Sequence, residues 1–146
     1  MSEIVTKRIN CLSTKIKREI TNLPSVADLD NISGVNGFII VYIYKNGNVY
    51  QKDIEREFGI TRSTASNIIS LMEKKEFVKR ESIDSDARLK RITLTEKAVN
   101  MCEKFLADLK KLNDDLCDGI PSEELDSFII TLNKIENNLK RRQEKW

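Results

Sequence analysis

Hydrophobic positions along this chain fall into runs of different period, and each period predicts an element. Val5, Ile9, Leu12, Ile16, Ile20 and Leu23 make one stripe of a first helix. Pro24 ends it, because the α conformation is disfavoured before proline. Ser25 to Ser33 reads as a polar connector. From Gly34 to Tyr44 the pattern is continuous, with Phe38-Ile39-Ile40-Val41-Tyr42-Ile43-Tyr44 apolar or aromatic throughout. Taken alone, that run fits a buried helix or a buried strand, and its β-branching favours the strand. Lys45-Asn46-Gly47-Asn48 is a turn by its own chemistry. A helix from about Gln51 to Phe58 buries Ile54 and Phe58, and Gly59 closes it where left-handed backbone is cheap only for glycine. Thr61 is a good cap for the next helix, 61–75. In that helix Ala65, Ile68, Ile69 and Met72 form one buried face.

The opposite face of that helix carries Ser63, Ser66, Asn67 and Ser70. Solvated faces elsewhere in the chain are rich in Lys and Glu, so short uncharged hydrogen-bonding groups suit close approach to a polar surface. Base edges in a major groove are such a surface. Val78–Ser82 and Lys90–Leu94 read as strands, joined by a turn-prone loop from Ile83 to Leu89 with Arg88 at its tip. A helix, a turn with glycine, a capped helix and a hairpin together make a winged helix-turn-helix. The bland alternative for the helix pair is an αα-hairpin that merely packs.

Thr95 caps a long helix whose Ala98, Cys102, Phe105, Leu109, Leu112 and Leu116 step alternately by 4 and 3. That 3.5-residue period predicts a coiled-coil-like seam rather than a helix lying on its own core. Asp118-Gly119-Ile120-Pro121 breaks it. Ser122 is the expected cap of a last helix striped by Leu125, Phe128, Ile129, Leu132, Ile135 and Leu139. Lys140-Arg141-Arg142 suits the C-terminal end of its dipole. A small winged helix does not need so much terminal apolar helix for itself, and a second copy is the simplest cover.

The 146 residues suit one domain, with 40% hydrophobic and 33% charged residues. No apolar run reaches transmembrane length, and the N-terminus has no signal-peptide core, so no membrane partner is expected. Cys11, Cys102 and Cys117 form no CxxC pair, and a reduced, cytoplasmic protein is the default. The net charge of +2 is a weak nucleic-acid footprint. Residues 51–91 carry ten Lys/Arg against eight Asp/Glu, whereas residues 92–146 carry nine against eleven. There is no histidine, which removes Ser-His and Cys-His pairs and histidine-ligated zinc. Asp114-Asp115 and Glu123-Glu124 abut helix ends, where such pairs cap or solvate. No catalytic constellation remains, so neither an enzyme nor a cofactor is expected.

From roughly Gly34 to Leu139 the sequence resembles the MarR family of bacterial transcription regulators. The resemblance is carried by Gln51-Lys52-Asp53-Ile54, Phe58-Gly59-Ile60-Thr61, Ser63-Thr64-Ala65-Ser66 and Leu71-Met72-Glu73-Lys74-Lys75. Arg80, Asp86-Ala87-Arg88 and Leu94-Thr95-Glu96-Lys97-Ala98 complete it, the last two being the most specific. The family decides the second helix as a helix. It implies a mainly α fold with a small β-hairpin wing (α+β), a winged helix-turn-helix lobe at 34–94, and dimerisation helices at 1–33 and 95–146. By position Ser63, Thr64, Ser66 and Asn67 match the family's groove-reading residues, with Thr61 and Arg62 at the helix start near phosphates. Arg88 would enter the minor groove from the wing, 78–94, with Asp86 holding it and Lys90 beside it.

Three positions depart from the family pattern. Glu76 stands where glycine usually ends the recognition helix, Tyr50 where Ser or Thr usually caps, and Leu71 where many relatives have arginine. Cys11 lies where some members sense peroxide, but its surroundings lack the matching tyrosines, and a buried structural cysteine is the expectation. An effector pocket is implied with Phe38, Tyr42 and Tyr44 as walls. The resulting expectation is a homodimeric repressor of a pseudo-palindromic double-stranded DNA operator, released by a small-molecule effector. The alternative is a helical dimeric interaction module that does not bind DNA.

Overall fold

The computed structural model describes residues 2–27, 34–83 and 86–145. The order is α1 (Ser2–Thr21), α2 (Pro24–Ala27), α3 (Gly34–Asn46), α4 (Gln51–Phe58), α5 (Arg62–Lys74), β1 (Val78–Ile83), β2 (Asp86–Leu94), α6 (Glu96–Cys117) and α7 (Ser122–Gln143). Two compact units result, Met1–Leu109 and Lys110–Trp146, and α6 runs from the first into the second.

The first unit is built around α3. Ile39, Ile40, Val41 and Ile43 are buried, so the helix is covered on most of its circumference. The strand-like composition is overridden because burial on several sides outweighs the few tenths of a kcal/mol by which β-branching disfavours helix. Gly37 lets α6 approach: a Cβ there would meet the Phe105 ring at 2.8 Å. Phe38 meets the same ring edge-on, with centroids 5.8 Å apart. Ala98, Cys102 and Phe105 are buried in this contact, whereas Leu116 further along α6 is 49% exposed. The expected single seam is therefore two surfaces, and its first half does lie on the chain's own core.

Three boundaries differ from the sequence expectation. The connector begins with a helical turn, α2, because Pro24 is preorganised for a first helical position and the Ser25 N–H donates to the Asp108 carboxylate at 2.9 Å. Ser122 starts α7 without capping it. Pro121 is the cap, and its carbonyl accepts from the N–H groups of Glu124 and Leu125 at 3.1 and 3.2 Å. The loop expected over Ile83–Leu89 is mostly strand, since β1 reaches Ile83 and β2 begins at Asp86. Pairing slips by an irregularity between Ser82 and Ile83, which lets the hairpin run on. The remainder of the connector, 28–33, lies outside the described residues, as do Asp84 and Ser85.

The turn after α5 closes in the form glycine usually serves, with Glu76 in glycine's place. The helix stops at Lys74, and Glu76 sits at φ 62. The Phe77 N–H donates to the Met72 carbonyl at 2.8 Å and the Glu76 N–H to the Glu73 carbonyl at 3.0 Å, a Schellman closure. Met72 and Phe77, both buried, supply its apolar contact. Thr95 binds this turn to α6. Its hydroxyl donates to the Glu76 carbonyl at 2.7 Å and accepts from the Ala98 N–H at 3.2 Å.

Candidate nucleic-acid interface

Two helix ends hold the interface. Tyr50 caps α4 without a side-chain bond of its own, because a phenol on a rigid ring cannot fold back to the backbone. Asp53 does the reciprocal half instead, accepting from the Tyr50 N–H at 2.9 Å. Gly59 ends α4 at φ 60, ψ 36. The Gln51 side-chain amide then donates to the Arg62 carbonyl at 3.3 Å, tying the start of α4 to the start of α5.

Thr61 caps α5 as expected, its hydroxyl accepting from the Thr64 N–H at 3.2 Å. It also donates to Thr64 Oγ1 at 2.9 Å and lies 3.2 Å from Ser63 Oγ. Thr61 is thus engaged in organising its neighbours. Arg62, Ser63, Thr64 and Asn67 are exposed and Ser66 is half-buried, while Ala65, Ile69 and Met72 are fully buried on the other side. Ile68, expected on the buried face, is half-buried at its edge. Leu71 is 39% exposed where an arginine is usual.

Between α4, α5 and the wing runs a cleft of about 580 Å³ whose lining includes Lys52, Arg62, Arg80 and Lys90, with Glu55 its one carboxylate among the described residues. Lys90 is exposed. Sequence reasoning missed Lys52 and Arg80. The signal for Arg80 was present in strand alternation, which puts it on the Val78 side and opposite buried Ile92. The side chains of Asp86 and Arg88 lie outside the described residues. Arg91 braces the wing, donating to the Glu81 carboxylate at 2.7 Å and to Asn48 Oδ1 at 3.2 Å. The hydrogen bond to Glu81, with its charge, raises the Arg91 pKa.

The three aromatics expected as effector walls are not gathered. Phe38 and Tyr42 share a face of α3, and Tyr42 stacks edge-on against Phe58 at 5.9 Å. Tyr44 is two residues on, around the helix, and 40% exposed. Cys11 is exposed on α1 rather than buried, so its expected packing role is corrected.

The sequence model of the MarR family matches residues 31–89, the span holding α3, the two helix-turn-helix helices and most of the wing. The MarR regulator of Oenococcus oeni PSU-1 superposes with a TM-score of 0.75 at 26% identity, over 94% of this chain and 98% of that one. The chain is similar to the MarR family through its central lobe. A curated relative, the uncharacterized HTH-type transcriptional regulator YwhA of Bacillus subtilis (strain 168), is 25% identical over 122 residues, covering 84% of this chain and 88% of that protein. Staphylococcus aureus MepR, solved in complex with DNA, shares the fold with a TM-score of 0.82 at 23% identity, covering 92% and 96% of the two chains. The haem sensor PefR of Streptococcus agalactiae, solved with haem, shares it with a TM-score of 0.62 at 24% identity, covering 93% and 91%. In the fold that these proteins share, α4 and α5 correspond to the helix-turn-helix pair and β1–β2 to the wing. No described helix is long and apolar enough to cross a membrane.

Proposed function

We propose that this chain is a MarR-family regulator that binds a pseudo-palindromic double-stranded DNA operator as a homodimer and represses transcription until a small molecule releases it. The observation that carries the reading is the exposed, uncharged N-terminal face of α5, next to a cleft whose described lining includes the cations Lys52, Arg62 and Lys90. Ser63, Thr64, Ser66 and Asn67 offer hydroxyls and an amide to base edges in the major groove. Arg62, Lys90 and Lys52 neutralise phosphates, and Thr61 sets the helix start. By sequence position Arg88 enters the adjacent minor groove, with Asp86 orienting it. That MepR has been solved on DNA supports the same use of this fold.

Dimerisation is assigned to 1–33 and 95–146, around the lobe 34–94. Ile4, Val5, Ile9 and Leu12 on α1 and Phe128, Ile129, Ile130 and Leu139 on α7 are 39–56% exposed, far more large apolar surface than a lone chain usually shows. The effector is placed against α3 near Phe38 and Tyr42. PefR holds haem; a haem here would find no histidine for its iron.

Selection of bound duplexes from a random pool, followed by footprinting, tests the reading. Enrichment of an inverted repeat with half-sites about one helical turn apart is expected. A pool that stays random would favour the interaction-module alternative.

A further inference from the structure

Ser70 continues the small polar face of α5 in sequence, yet its hydroxyl is taken from within the chain. Arg80 Nη2 donates to Ser70 Oγ at 3.0 Å, and Arg80 Nε lies 3.7 Å from a Glu73 carboxylate oxygen. The arginine comes from β1, where it pairs with buried Ile92 across the hairpin. One guanidinium therefore spans from the wing to the last turns of the recognition helix. Its Nε is buried without a hydrogen-bond partner among the described residues, so the group is held by position rather than fully satisfied.

We propose that Arg80 is a positioning residue that fixes the wing against the recognition helix, and so sets the spacing between major-groove and minor-groove contacts. The inference rests on the DNA-binding reading above. One phosphate strand separates the two grooves, and a protein reaches into both only when its two elements diverge by the matching angle. The backbone from α5 to β1 is just Lys75, Glu76 and Phe77, so the angle between hairpin and helix is set across a single turn. Arg80 lies three residues beyond that turn and ties the hairpin to two side chains one helical turn apart. A planar fork can serve Ser70 and Glu73 together, whereas a lysine ammonium is a single point. Glu73 also offsets the Arg80 charge, so Arg80 contributes geometry and not phosphate neutralisation. Loss of the angle lowers discrimination between sequences and leaves the sequence-independent attraction intact.

The test uses the full chain, the duplex selected from the random pool and a scrambled duplex of equal length, each titrated at several salt concentrations. Arg80→Ala is expected to weaken the selected duplex about tenfold and the scrambled one by less than about twofold, with the slope of log affinity against log salt unchanged. Arg80→Lys should not restore discrimination. Ser70→Ala, at an exposed position, should reproduce the loss at about threefold, the scale of one hydrogen bond; it carries the same test should Arg80→Ala not fold. Equal weakening on both duplexes with a slope flattened by about 0.9 per protomer would make Arg80 a phosphate contact and overturn the proposal. So would wild-type discrimination in Arg80→Ala or in Ser70→Ala. A wild-type chain that binds neither duplex would sink the DNA-binding reading itself and this inference with it, an outcome distinct from the others.

Discussion

Asn67 and Arg88 sit on the two elements assigned to DNA, and their side chains do different chemistry. Asn67 is exposed on the recognition helix and carries a donor and an acceptor, the pair that reads adenine in a major groove. Arg88 is a long cation in the wing, suited to groove width and phosphates. Asn67→Ala should therefore weaken the operator by roughly 1–3 kcal/mol more than random DNA and keep the salt slope. Arg88→Ala should weaken both by similar factors and flatten the slope by about 0.9 per phosphate in each protomer. Salt titrations on both duplexes separate them, and equal losses in Asn67→Ala would remove the helix from the major groove. The polar face of α5 was legible in sequence because a helical period fixes which residues share a face. Strand alternation shows which side of the hairpin Arg80 faces, but not its partners Ser70 and Glu73, which belong to another element.

Cys102 gives a second test at this scale. It is buried on α6, and burial, with Glu103 nearby, raises its thiol pKa above the ordinary 9.0. The folded state thus holds the thiol proton more tightly than the unfolded chain does. This contribution is fully present below pH 9 and is lost as pH rises through the folded pKa. Urea midpoints should fall as pH rises above 9, more steeply in wild type than in Cys102→Ala. Equal slopes would mean that the buried thiol is not the group responsible. At pH 8 exposed Cys11 should alkylate at once, and Cys102 only on unfolding.

At the scale of elements, the turn between α5 and β1 holds a glutamate in left-handed backbone, at φ 62. That conformation costs an L residue about 1–2 kcal/mol, and glycine avoids it. Glu76 is exposed, and the turn's hydrogen bonds use only its backbone. Glu76→Gly should raise stability by about 0.5–1 kcal/mol after the unfolded-chain entropy of glycine is subtracted, and Glu76→Val should lower it, both read from thermal melts. An unchanged melting point in Glu76→Gly would mean the turn is unstrained. Helix starts and stops carried by Gly59, Thr61 and Thr95 were legible because their chemistry is local. What was not legible is non-local: α2 is capped by Asp108, eighty-three residues away, and the α6 period divides between α3 and open surface. The apolar run of α3 was ambiguous for a related reason, since burial on several sides erases any period.

For the whole molecule, the exposed apolar faces of α1 and α7 predict association. Ile129→Glu places a charge on a surface that is 54% exposed within one chain. Sedimentation at micromolar concentration should show a dimer for wild type and a monomer for this variant. A monomeric wild type would remove the paired wings from the proposed function. The contrast between α3 and α7 also sets a clock. α7 has no fully buried residue within its own chain, and helices in proteins draw most of their stability from packing of an apolar face rather than from propensity. Its amides should exchange with deuterium within seconds in dilute solution and slow as protein is added. Those of α3, enclosed whatever the concentration, should be among the last to exchange, at a rate set by opening of the whole lobe.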